Sequence, residues 1–195
     1  MEKVPLLNAF QRSMVHFLDK FIDIAAEKGY PACKNSISMT PDETWMREPS
    51  VQCEDEFLIY DEISELVFEY LGQINADFIV TEGAAYTPKI MKNYKNKEYI
   101  TIIPTADFQI LHYKEREWIS YVLEGYSDKQ QAFKNWMERD ILFAKKVEVE
   151  CKENGVPCIV NDGSRTQDEM FRIVKGLFLE APDNLEAAGY GGKLE

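Results

Sequence analysis

Three short apolar runs constrain the fold of this chain most. They are FIVT (78–81), YITII (99–103) and PCIVND (157–162), and each stops abruptly at an acid, a proline or a glycine. Runs this short, stopped so sharply, read as strands buried on both faces. Between and around them the apolar residues recur at helical spacing. Leu7, Phe10, Met14, Phe17, Leu18, Phe21 and Ile24 predict a helix over 7–28, stopped by Gly29. Residues 30–38 show no clear period and read as a loop. Thr40-Pro41 with Glu43 forms a capping box that opens a short helix. Pro49-Ser50 opens a longer one over about 51–72, with Phe57, Leu58, Ile63, Leu66, Val67 and Leu71 inward.

The same signals continue toward the carboxyl terminus. Short helices are expected from Pro88, from Thr105 and over 115–124, and Ser127 is placed to cap the longest helix, over about 128–153. Gly155 ends that helix, and a second capping box, TQDE at 166–169, opens another through Phe171, Val174 and Phe178. Strands alternating with helices predict an α/β fold, a three-layer α/β/α arrangement around a short parallel sheet. The expectation is one domain over 1–181, with a helical region at 7–72, a sheet core at 78–178 and a polar tail at 182–195.

Composition narrows the function classes. The formal net charge of −12 argues against non-specific nucleic-acid binding and against anionic membranes, while leaving a small anionic ligand possible through a local basic cluster. No apolar run is long enough to cross a membrane, and no signal peptide is legible, so a cytoplasmic protein is expected. Cys33, Cys53, Cys151 and Cys158 form no CxxC and no zinc-site spacing, and read as reduced thiols.

In an open parallel sheet, ligands bind beyond the carboxyl ends of the strands. Glu82 and Gly83 follow the first run. Glu82 fits contact with a metal-bound water or a substrate group, and equally fits a solvated strand-end acid. Pro104 and Thr105 follow the second. Asn161 and Asp162 end the third and Gly163, Ser164 and Arg165 follow it, where a tight turn presents a planar guanidinium suited to phosphate or to a base. In WMERD, Arg139 and Asp140 are consecutive on a helix and are not expected to share a face; Arg139 and Arg47 each read as surface-paired or as ligand-facing. His16 and His112 are isolated, and no Ser/His/Asp or Cys/His arrangement is present. GYGGK (189–193) is not a phosphate loop, because Ala187 and Leu194 stand where GxxxxGK[ST] requires glycine and a hydroxyl residue.

Taken together, TPDETWMREPSVQCEDEFLIYDEI, VTEGAAYTP, IIPTADFQILHY, AFKNWMERD and VNDGSRT resemble, in sequence and order, a bacterial family of small kinase-like P-loop proteins. That family is similar in architecture to nucleoside monophosphate and shikimate kinases, and the resemblance runs from about Asp19 to Phe178. It implies nucleotide-dependent phosphoryl transfer to a small molecule, with ATP and Mg²⁺ as cofactors. By motif position it implies Glu82 and Arg139 as catalytic, Gly163, Ser164 and Arg165 as nucleotide-binding, and Asp19, Arg47 and Gly83 as substrate-binding. The family pattern begins with a strand and GxxxxGK[ST], and no such phosphate-loop motif stands anywhere in these 195 residues, although a strand could lie in 1–6. A start placed too late, a relative that binds without catalysing, and a loop supplied by another chain all fit. The first predicts an exposed apolar slot and a homo-oligomer.

Overall fold

The structure, a computed structural model, describes residues 18–75, 79–94 and 98–179. Helix α1 is described over 18–27. It is followed by α2 (Pro31–Ser38), α3 (Pro41–Trp45), α4 (Pro49–Gln73), α5 (Pro88–Met91), β1 (Thr101–Pro104), α6 (Ala106–Lys114), α7 (Ile119–Val122), α8 (Lys129–Asn154), β2 (Cys158–Asn161) and α9 (Gln167–Leu179). The chain is thus mostly helical, an α/β protein with a minor sheet. Among the described residues that sheet has two strands, β1 and β2, parallel and in register from Thr101↔Cys158 to Pro104↔Asn161. Parallel pairing demands a crossover, and α6, α7 and α8 make it.

The local stop and start signals hold where they rest on neighbouring residues. Thr40 Oγ1 accepts from the Glu43 amide at 3.4 Å while Glu43 accepts from the Thr40 amide at 2.9 Å, a complete capping box. Thr166 and Glu169 repeat it at α9. Gly155, at φ 66°, ends α8 in the left-handed region that a side chain disfavours.

Four expectations are corrected. Residues 31–38 form a helix, not a loop, because Glu62 of α4 caps it from outside: its carboxylate accepts from the Ala32 and Cys33 amides at 2.9 and 2.8 Å. The expected strand at 78–81 is not formed over its described part. Residues 79–81 carry no strand pairing, and Ile79 and Val80 are 40% and 62% exposed. Phe78 lies outside the described residues, as do 7–17 of the first helix, His16 and the tail at 182–195. The cap of α8 is Asp128 rather than Ser127. The Asp128 carboxylate accepts from the Gln130 and Gln131 amides, whereas the Ser127 amide is drawn to Asp42 of α3 at 3.0 Å. The helical segment expected over 115–124 is only the single turn α7.

The largest apolar cluster joins α1, α2, α4 and α5 around Phe21, Ala25, Cys33, Ile63, Val67 and Ile90. A second sets Cys53 and Phe57 of α4 against Ile103 of β1 and Val147 and Cys151 of α8. A third gathers Ile119, Leu123, Trp136 and Met137. Helix α4 carries its buried stripe on Cys53, Phe57, Tyr60, Ile63 and Val67, which leaves Leu58 53% exposed, against expectation. No helix among the described residues is long and apolar enough to cross a membrane.

Ile63 is fully buried, so Ile63→Ala is expected to cost about 2–5 kcal/mol in urea denaturation through lost transfer energy and a residual cavity. Leu58→Gln is expected to change stability by no more than about 0.5 kcal/mol.

Candidate functional site

Polar groups converge where α2, α3, α4 and α8 meet. A small cleft of ≈ 70 Å³ there is lined by Trp45, Arg47, Gln52, Asp55, Glu56 and Arg139, together with α2 residues. Beside it, two amides grip the turn between α3 and α4. Gln52 Nε2 donates to the carbonyls of Trp45 (3.2 Å) and Arg47 (2.7 Å), and Asn135 Nδ2 of α8 donates to Trp45 (2.8 Å). The carbonyl Oε1 of Gln52 is buried and has no hydrogen-bond donor among the described residues. A buried acceptor left unmatched costs about 1–3 kcal/mol.

Two arginines flank it. Arg47 donates from Nη1 to Asp55 at 2.5 Å and from Nε to the Glu43 carbonyl at 2.6 Å. Arg139 is 9% exposed; its Nη1 donates to Glu56, which also accepts from the hydroxyl of Tyr60. Its guanidinium lies over Trp45, 4.8 Å from the ring centroid, and Trp45 stacks on Trp136. Asp140 Oδ1 approaches Arg139 Nε at 2.6 Å. That contact is ionic but too poorly aligned to be a hydrogen bond, so Nε stays without an acceptor. The expectation that consecutive Arg139 and Asp140 would not meet is therefore overturned. Long side chains can curl toward each other across neighbouring positions, and burial makes the contact worth keeping. Burial pushes the Asp140 carboxyl up to about 6, outweighing the pull of Arg139, which is shared with Glu56. Tyr60 is pushed up by burial and by the adjacent Glu56 carboxylate.

A second place lies at the carboxyl ends of the strands. The Thr105 amide, at the start of α6, donates to the Asn161 carbonyl at 3.0 Å and so ties the two strand-end loops together. Beyond Asn161 the chain turns tightly. Asp162 Oδ1 accepts from the amide and hydroxyl of Ser164 (2.9 and 2.6 Å), which holds the exposed Asp162 carboxyl below its usual range. Gly163 sits at φ 82°, and a Cβ there would come within 2.7 Å of the Phe108 ring. Only glycine fits both the backbone and the space. Arg165 is exposed; it makes a long hydrogen bond, 3.4 Å, to the Val160 carbonyl and lies within electrostatic reach of Asp162 and Glu169.

The structure thus brings Arg47 and Arg139 to one cleft and Gly163, Ser164 and Arg165 to one loop. Glu82 and Gly83 are exposed in the turn that precedes buried Ala85, Tyr86 and Thr87, and Glu82 does not follow a strand. Asp19 is exposed on α1 and is not among the residues lining the cleft. Sequence reasoning missed Trp45, Gln52, Asp55 and Glu56. One signal was available: Gln52 and Glu56 fall on the same stripe of α4 as Tyr60 and Ile63, and a polar residue on an apolar stripe needs a partner. Among the described residues no group of three or more acidic, histidine or cysteine side chains is placed to hold a metal ion. No protein-family model matches this chain, and no curated protein or solved structure shows significant similarity to it.

Arg139→Met is expected to destabilise the fold by about 3–5 kcal/mol in denaturant titration, since it strands Glu56 and Asp140 without their cation. Because the Asp140 carboxyl is raised in the folded state, its protonated form favours folding. That contribution is complete below the unfolded value near 4 and disappears as pH rises through about 6. Asp140→Asn should flatten the fall in stability between those two pH values; an unchanged slope would assign it to other groups.

Proposed function

We propose that this chain is a kinase-like protein that binds a nucleotide at the carboxyl ends of β1 and β2 and a small polar molecule in the cleft between α3, α4 and α8. The observation that carries the reading is the tie between the two strand-end loops, Thr105 to Asn161, beside an exposed arginine on a glycine turn. Ligands of parallel sheets collect at that edge, and a guanidinium there suits phosphate. The sequence resemblance supports ATP with Mg²⁺ as the nucleotide, and phosphoryl transfer as the reaction in which both sites take part. In that reaction Arg165 and Ser164 hold the nucleotide, Arg47 orients the acceptor, and Glu82 is assigned to the metal by the resemblance alone. Arg139 is a positioning residue here, since its charge is already matched by Glu56 and Asp140.

That same pairing favours a second reading. Both cleft arginines are neutralised by carboxylates, so little free positive charge faces a transferring phosphoryl group. A protein that binds a small ligand on this fold without catalysis accounts for it.

Titration calorimetry of the intact chain with ATP and Mg²⁺ tests both. Saturable heat is expected, weakened about 10-fold or more in Arg165→Ala, the equivalent of roughly 1.4 kcal/mol. No heat above dilution would remove the nucleotide reading. Binding without ADP release across a panel of hydroxyl and phosphate acceptors would favour the non-catalytic one.

A further inference from the structure

Cys151 and Cys158 are brought together by a turn that the functional reading does not use. Cys151 lies in the last turns of α8, and Cys158 opens β2. Gly155 turns the chain back in the left-handed conformation, while the Gly155 and Val156 amides both donate to the Cys151 carbonyl. The Thr101 amide holds Pro157 at 2.9 Å, which fixes Cys158 opposite Thr101 in the sheet. Both thiols therefore pack in the same apolar cluster, with Ile103 and Val147. Cys151 is 1% exposed, whereas Cys158 retains partial exposure.

We propose that Cys151 and Cys158 form an oxidisable pair that closes into a reversible disulfide, fastening the end of α8 to the start of β2. Contact with Cys158 and Thr101 lowers the Cys151 thiol, while the same contact raises Cys158. Cys158, which keeps solvent access, meets the oxidant, and Cys151, sealed beneath it, is the resolving thiol. With hydrogen peroxide as oxidant, the Cys158 sulfur attacks one peroxide oxygen; the S–O bond forms, the O–O bond breaks, and the hydroxide that leaves takes up the Cys158 proton as water. Cys151 then attacks the sulfenic sulfur; the S–S bond forms and the S–O bond breaks. The displaced hydroxide takes up the Cys151 proton as water. Two thiols lose two electrons and two protons, and hydrogen peroxide becomes two waters. Cys33 is buried in the other large cluster and raised to about 12 by burial and Glu62, while Cys53 enters the same cluster from α4, outside the turn that joins Cys151 to Cys158, and is raised by burial. They supply the internal control.

The disulfide would also stiffen the turn 154–157. Asn154, Gly155, Val156 and Pro157 form one wall of an open groove of ≈ 350 Å³, whose other wall includes Pro88, Tyr94 and Tyr99. Oxidation therefore reaches a surface feature and not only the core.

The experiment treats the full chain with hydrogen peroxide, alkylates it under denaturing conditions, and maps the peptides by mass spectrometry. A Cys151–Cys158 cross-linked peptide that dithiothreitol reverses is expected, with Cys33 and Cys53 still alkylated. In Cys151→Ser, Cys158 should instead be trapped as sulfenic acid by dimedone. Circular dichroism of that variant checks its fold. Dimedone labelling of the wild type during the first moments of oxidation reads the same intermediate if the variant does not fold. Four alkylated cysteines after treatment, a linkage through Cys33 or Cys53, or over-oxidation without a linkage would each overturn the proposal.

Discussion

The buried charge cluster around Arg139 is the constraint on which the rest depends. Helices α4 and α8 make the most extensive helix–helix contact among the described residues. Arg139 joins them through Glu56, with Tyr60 completing the acceptor and Trp45 covering the guanidinium face. A cation this deeply placed is tolerable only if its charge is matched. Matching it fixes how α4 and α8 lie along each other. That in turn sets α3, because Gln52 from α4 and Asn135 from α8 both grip the carbonyls of its end.

The cluster also decides what the neighbouring cleft offers. With Arg47 paired to Asp55 and Arg139 to Glu56 and Asp140, the cleft is polar but nearly neutral. It suits a ligand that exchanges hydrogen bonds more than one that brings a full negative charge. An exposed guanidinium lies elsewhere, on Arg165 in the strand-end loop. The division between arginines paired inside a cleft and an arginine exposed on a turn is why the proposed functions of the two places differ.

Much of the fold was legible because its signals are local. Capping boxes at Thr40 and Thr166, the stop at Gly155 and the apolar stripe of α4 each involve residues within a turn or two of one another. The misses share the opposite property. Helix α2 depends on Glu62, which lies about eight turns of helix-equivalent chain away and reaches its amides only after α4 docks. The run FIVT reads as a strand by composition, yet residues 79–81 find no partner strand to complete a ladder. A strand requires a neighbour, and no local pattern supplies one.

The sequence by itself determined where most helices begin and end, that β1 and β2 are short and apolar, and that Gly163 marks a turn followed by Arg165. These follow from backbone sterics, hydrogen-bond capping and periodicity, all short-range. Only the tertiary structure decided that Arg139 is a buried tie and not a free surface charge, that Arg47 and Arg139 share a cleft, and that Cys151 meets Cys158. Those outcomes depend on which helix faces come together, and burial then sets the electrostatics: it forces charges to find partners and shifts the acidity of the groups it encloses.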